Sequence, residues 1–281
     1  MTAAGTIVIG GELTVNRLGV GAMRLSGPGI WGDPLDREAA CHVLRRAVEL
    51  GVNFIDTADA YGPGSNERLI ADALHPYPAG LVIATKGGIV RPSQERWDRD
   101  GRPVQLRAAC EASLQRLRVE CIDLYQFHSI DPLVPLEESL GEIARLQREG
   151  KIRHVGVSNF TSGELARARR VVKVVSVQNR YNVSDRTSDA VLATCERDGI
   201  AFIPWSPLSQ SPREPREGPR ARLVDWANQQ GVSFAQAAIA WLLARSPAML
   251  PIPGTSSVAH LEDNVAATAR TLTAADLATI G

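Results

Sequence analysis

Eight short apolar, largely β-branched runs alternate along this chain with longer segments whose apolar residues return every three or four positions. The runs are RLGVGA, NFID, LVIAT, IDLYQF, IRHVGVS, VVSVQ, AFIPW and MLPIP. The segments include REAACHVLRRAVELG, LRAACEASLQRLR, LEESLGEIARLQREG, SGELARARRVV, SDAVLATCERDG and FAQAAIAWLLARS. Strands joined by helices run parallel, and runs this apolar have no face suited to water. Eight such units in 281 residues predict an α/β fold, a (β/α)8 TIM barrel that occupies residues 1–281 as a single domain. The leading TIVIGGELTVN reads as an N-terminal β-hairpin that turns at Gly10 and Gly11 and plugs the barrel bottom, and a C-terminal helix ends the chain. Gly51, Gly150 and Gly199 stand where helices need a left-handed stop, and Ser162 and Ser188 where they need a start. SPLSQSPREPREGPR, proline-rich and charged, reads as a surface loop. An open-sheet dinucleotide fold would need a third glycine opening a helix, which neither GVGAMR nor GPGSNE supplies.

Composition narrows the function classes. Lys plus Arg number 31 and Asp plus Glu 31, so the formal charge is zero, which rules out a strong electrostatic case for nucleic acid or an anionic membrane. At 44% hydrophobic and 22% charged residues the chain can bury a large core. No apolar stretch reaches the roughly 18–20 residues that cross a bilayer, and MTAAGTIVIG lacks the layout of a signal peptide, so a cytoplasmic location is expected. Cys41, Cys110, Cys121 and Cys195 form no CxxC pair, and with five histidines they suggest neither a disulfide framework nor a metal site. Cys195 reads as a small buried hydrophobe.

In a parallel barrel the working groups sit at the C-terminal ends of the strands. Asp56 ends NFID with Tyr61 five residues on, Lys86 ends LVIATK, and His128 ends IDLYQFH. Ser158 and Asn159 end HVGVSN, Gln178 ends VVSVQ, and Trp205 and Ser206 end AFIPWS. A carboxylate, a phenol, an amine and an imidazole in one mouth suit proton donation. A tyrosine with a pKa of about 10 is a poor acid, but a neighbouring ammonium held by an aspartate should stabilise its phenolate. Neutral His128 could then polarise a carbonyl oxygen. The rival use of Lys86 is a Schiff-base amine in a barrel lyase.

At these residues the sequence resembles the aldo-keto reductases. NFIDTADAYG, ATKGG, LYQFHS, HVGVSNF, VQNRYN, PWSPL and PIPGTSSVAHLEDN occur in that family's order, over essentially the whole chain. The resemblance implies hydride transfer from a nicotinamide cofactor to an aldehyde or ketone, without a metal, with Asp56, Tyr61, Lys86 and His128 as the catalytic tetrad. It implies Ser158, Asn159 and Gln178 on the nicotinamide carboxamide, Trp205 stacked on its ring, and Gly21, Met23, Ser206 and Leu208 along the cofactor. Gly254, Thr255, Ser256 and His260 would face its phosphates at a helix start, and Asp263 and Asn264 would lie near adenine. Many NADPH-preferring members carry a lysine at the Gly254 position and an arginine at the His260 position. This chain has neither, which leaves NADH as the alternative, while the IPGTSS form resembles that of bacterial NADPH users, so NADPH is the expected cofactor. Trp31, Ile89 and Trp97, with Met23, are candidate walls of the substrate pocket. NRLGVGAMRLSGPGIWG is most similar to bacterial members of the pyridoxal reductase type. The expected partner is a small-molecule carbonyl substrate, the expected state a monomer or small homo-oligomer, and the rival class a nicotinamide-binding regulatory or sensor subunit.

Overall fold

A computed structural model describes residues 4–208 and 217–281; most of the proline-rich stretch after the seventh run therefore lies outside the described residues. The hairpin comes first: β1 (Thr6–Ile9) pairs antiparallel with β2 (Leu13–Asn16). Gly10 and Gly11 both have positive φ, 67° and 90°, and Glu12 N donates to Ile9 O at 3.2 Å; with Ile9 opposite Leu13 the hairpin closes through the three-residue loop Gly10, Gly11 and Glu12. Ile9, Leu13 and Val15 pack on Phe54, Leu124, Val175, Ile203 and Leu250, so the hairpin closes one end of the barrel as expected.

The barrel strands are β3 (Val20–Gly21), β4 (Phe54–Asp56), β5 (Val82–Gly87), β8 (Ile122–Phe127), β9 (Ile152–Ser158), β10 (Val174–Arg180) and β11 (Ala201–Trp205). They form one parallel sheet in the order β11-β10-β9-β8-β5-β4-β3. The eighth run forms no regular ladder, because Pro251 and Pro253 have no N–H to give. It still joins the two edges. Phe202 N donates to Ala248 O at 2.8 Å, Leu250 N to Phe202 O at 2.9 Å, and Gly19 N to Pro251 O at 2.9 Å. Inside, the lumen is filled by side chains rather than left as a pore: a Cβ on Gly156 would run into the hydroxyl of Ser176 and lie 2.9 Å from Gln126 Cγ.

Around the sheet run α1 (Arg37–Glu49), α2 (Ser65–Leu74), α3 (Pro103–Leu117), α4 (Leu136–Arg148), α5 (Ser162–Ala168), α6 (Asp189–Asp198), α7 (Pro219–Gln230), α8 (Phe234–Arg245), α9 (Val258–Ala266) and α10 (Ala274–Ile280). In α1 the buried residues are Ala40, Cys41, Val43, Leu44 and Ala47, the three- and four-residue spacing read from the sequence. Gly51, Gly150 and Gly199 do take positive φ after their helices. The start of α5 lies one residue earlier than expected, at Thr161, which forms a capping box with Glu164. Helices α2 and α7 are not among the segments singled out from the sequence, nor is a short hairpin of β6 (Ile89–Val90) with β7 (Asp98–Arg99) after β5. Cys195 is fully buried and burial pushes its thiol up to about 12, in keeping with a packing role.

A Cβ at Gly10 would sit 2.5 Å from the buried His154 ring, whereas one at Gly11 would meet nothing within 4 Å. Both positions are left-handed, which costs an L-residue about 1–2 kcal/mol. Gly10→Ala should therefore lower stability clearly more than Gly11→Ala in urea unfolding, and equal losses would remove the hairpin from its close fit.

Candidate active site

Adjacent strands β4, β5 and β8 deliver three of the reactive side chains: Asp56 ends β4, Lys86 lies at the end of β5, and His128 follows β8. Tyr61 comes from the turn between β4 and α2, where Tyr61 N donates to Ala58 O at 3.1 Å. Lys86 Nζ donates to Asp56 Oδ2 at 2.7 Å, to Thr57 O at 2.7 Å and to the Tyr61 hydroxyl at 3.4 Å, which uses all three of its protons. The other carboxylate oxygen, Asp56 Oδ1, accepts from Gln126 Nε2 at 3.0 Å and Gln178 Nε2 at 2.7 Å. Lys86 has no exposed surface. An ion pair this deep persists because every lone pair and proton facing it is matched.

The electrostatics follow from burial and this pair. Burial pulls the Lys86 ammonium down, but Asp56 and Tyr61 outweigh it and leave the group above its ordinary value, so it stays charged. For Tyr61 burial pushes the phenol up, and the opposing pull of Lys86 is smaller. The net acidification expected from sequence is thus corrected: in this dry setting the ammonium reduces the rise without reversing it. His128 is held well below its ordinary range, by burial first and by the Lys86 charge second. A neutral imidazole keeps one N–H and one lone pair, so it can donate to a carbonyl oxygen without adding charge. The rings of Tyr61 and His128 meet edge-on with centroids 6.0 Å apart, and Tyr61 and Trp97 do so at 6.4 Å.

Above these groups opens a cavity of about 350 Å³. Of the residues expected there, Asp56, Tyr61, His128, Gly21, Met23, Ser158, Asn159, Gln178, Trp205, Ser206, Leu208, Gly254 and Trp97 line it. Asn159 and Ser206 both hold left-handed backbone, φ 61° and 54°, just after β9 and β11 at the cavity. Trp205 Nε1 donates to Asn159 Oδ1 at 2.9 Å, while Asn159 Nδ2 donates to His128 O and to Ser158 Oγ at 3.2 and 3.1 Å. The indole plane is therefore fixed, and the Ser158 hydroxyl and the Gln178 side-chain carbonyl complete a donor and acceptor set that fits a planar carboxamide beside a flat ring.

Other expected residues stand outside this cavity. Ile89 is half-buried in β6, and Trp31 lies in the loop after β3. Thr255 is buried and accepts from Ser257 N at 3.0 Å. His260 is exposed on α9. Asp263, expected near adenine, accepts from Ser233 Oγ at 2.6 Å and Gln236 Nε2 at 2.7 Å, tying α9 to α8; Asn264 is buried beside it. Ser256 borders a second cavity of about 480 Å³ under the loop between β3 and α1. Three residues the sequence reading passed over matter here. Gln126 braces Asp56, Arg24 lines both cavities, and Arg91 holds the outer wall. The Arg91 guanidinium lies 3.7 Å from the centre of the Trp97 ring and 5.4 Å from that of Trp31, and it donates to the backbone carbonyls of Gly29, Ile30, Gln94 and Arg96.

Replacing Lys86 by Met would leave Asp56 buried without its counter-charge, a loss of about 3–5 kcal/mol of stability. Asp56→Asn combined with Lys86→Met should lose less than the two single losses together in urea unfolding; strict additivity would mean the pair is not coupled.

Among the described residues no group of three or more His, Cys, Asp or Glu could hold a metal ion, and no helix is long and apolar enough to cross a membrane. The chain is 48% identical over 264 residues to an uncharacterized oxidoreductase of Schizosaccharomyces pombe, covering 94% of this chain and 85% of that one. It is 42% identical over 264 residues to pyridoxine 4-dehydrogenase of Escherichia coli, covering 92% and 91%. Its fold superposes with a TM-score of 0.83 on an aldo-keto reductase of Klebsiella pneumoniae solved in complex with NADPH, at 27% identity, over 98% of this chain and 93% of that one. The aldo/keto reductase family model matches residues 17–281, which include every reactive side chain described above, and the chain belongs to that family.

Proposed function

We propose that this protein is an NADPH-dependent carbonyl reductase that takes a pyridoxal-type aldehyde and uses Tyr61 as its proton donor. The observation that carries the reading is the chain of contacts from buried carboxylate to buried ammonium to cavity-facing phenol, with a neutral imidazole at its side. When bound, the nicotinamide supplies a hydride to the carbonyl carbon. The residues handle the other end of the bond. Tyr61 O–H gives its proton to the carbonyl oxygen, Lys86 stabilises the phenolate left behind, and solvent returns the proton. His128 donates to the same oxygen and orients it. Ser158, Asn159 and Gln178 would hold the carboxamide, and Trp205 the ring face.

The pyridoxal-type substrate is supported by similarity to a pyridoxine dehydrogenase along nearly the full length of both chains, and by a wall in which Trp97 offers its flank to an aromatic ring. NADPH is supported by the related reductase solved with that nucleotide. A Schiff-base role for Lys86 fits poorly, because the amine is charged, fully bonded and inaccessible. A purely regulatory role would leave the complete proton relay without use. Four free cysteines agree with work in the cytoplasm, where we place it as a monomer or small homo-oligomer.

Two outcomes test the reading, both followed as NADPH oxidation with pyridoxal as substrate. Tyr61→Phe should lose about 100- to 10,000-fold in kcat while binding NADPH within twofold of the parent, and full activity would overturn the assignment. The pH profile provides the other. Since the phenol is raised and the imidazole lowered, Tyr61 stays protonated beyond its ordinary value and His128 stays neutral below its own. The kcat/KM for reduction should therefore be flat from about pH 6.5 to about pH 10, and a fall beginning near pH 8 would contradict the raised phenol.

A further inference from the structure

The cofactor reading leaves an electrostatic gap. A nicotinamide dinucleotide phosphate carries its charge on a pyrophosphate and a 2′-phosphate, yet position 254 is a glycine and position 260 an exposed histidine. Among the described residues, one permanent cation lines either cavity, and it lines both: Arg24, at the end of the short 3-10 turn Ala22–Leu25 that follows β3. Its guanidinium has no hydrogen-bond acceptor and no acidic partner among the described residues, whereas Arg91 is engaged by four backbone carbonyls. The stem of Arg24 lies against Gly254: a Cβ added there would be 3.3 Å from Arg24 Cγ. The bare glycine thus leaves open the space that the arginine occupies. Ser256, one face of the second cavity, is two residues further along the same segment, just before α9. Asp36 also borders that cavity, but its carboxylate is engaged in capping α1 through Ala39 N at 2.9 Å.

We propose that Arg24 is the residue that recognises the 2′-phosphate of the cofactor, reaching from the loop after β3 across Gly254, and that it sets the preference for NADPH over NADH. A planar guanidinium can pair with two phosphate oxygens at once, and at the opening between two cavities it does so without displacing any existing partner. The inference rests on the groove being a nicotinamide dinucleotide site, and its test separates the two ideas.

Wild type, Arg24→Ala and Arg24→Lys are titrated by calorimetry with NADPH and, separately, with NADH. Arg24 is exposed and unbonded, so unchanged thermal melting is expected of both variants. The proposal expects Arg24→Ala to weaken NADPH at least tenfold while NADH changes by less than twofold, with Arg24→Lys between. It also expects the NADPH affinity of wild type, but not of Arg24→Ala, to fall steeply with added salt. Equal losses for both nucleotides would put Arg24 on the pyrophosphate and overturn the assignment, as would no loss for either. Failure of wild type to bind either nucleotide would overturn the groove reading itself.

Discussion

A single buried ion pair organises this molecule. Lys86 and Asp56 lie on neighbouring strands with essentially no contact with solvent, and a bare charge in such a place would cost several kcal/mol. The cost is offset by matching each atom: the ammonium bonds a carboxylate, a backbone carbonyl and a phenol, while the free carboxylate oxygen takes two glutamine amides from β8 and β10. Because those partners come from four strands and a loop, the pair can be satisfied only when the barrel is closed in register. The requirement that stabilises the charges is the one that places Tyr61 at the mouth.

The groups around it are sorted by what burial does to each. The lysine remains charged because Asp56 and Tyr61 together outweigh desolvation, the tyrosine remains protonated because desolvation outweighs the lysine, and the histidine remains neutral because both effects push the same way. One dry environment thus leaves a charged amine, a protonated phenol and a neutral imidazole side by side. The left-handed backbone at Asn159 and Ser206 serves the same end, since it turns the chain sharply after β9 and β11 and leaves the Trp205 indole anchored on Asn159.

Much of this was legible in the sequence because the barrel punctuates apolar strands with polar ends. Asp56, Lys86 and His128 stood out against NFID, LVIAT and LYQF for that reason, and Gly10 and Gly11 marked the plugging hairpin. Gln126 carried a readable signal as well: it stands two residues before His128 at the end of a largely apolar strand, the spacing of one strand face. What the sequence hid was tertiary. The sign of the Tyr61 shift depends on how dry its setting is, the part of Asp263 depends on Ser233 and Gln236 thirty and twenty-seven positions away, and α7 follows a proline-rich stretch that masks its start. The eighth strand was visible as an apolar run, but its two prolines restrict it to a few seam bonds in place of a ladder.

Arg91 has a consequence of a different kind. Four carbonyls from two separate loops converge on one guanidinium that also lies over two indoles, so the loops after β3 and β5 behave as one piece hung on a single side chain. Asp56, Tyr61, Lys86 and His128 beneath it belong to the ends of β4, β5 and β8 and to the turn after β4, not to that piece. The outer wall is therefore a separate cassette: its two loops can change together around Arg91 without disturbing the buried ion pair beneath them.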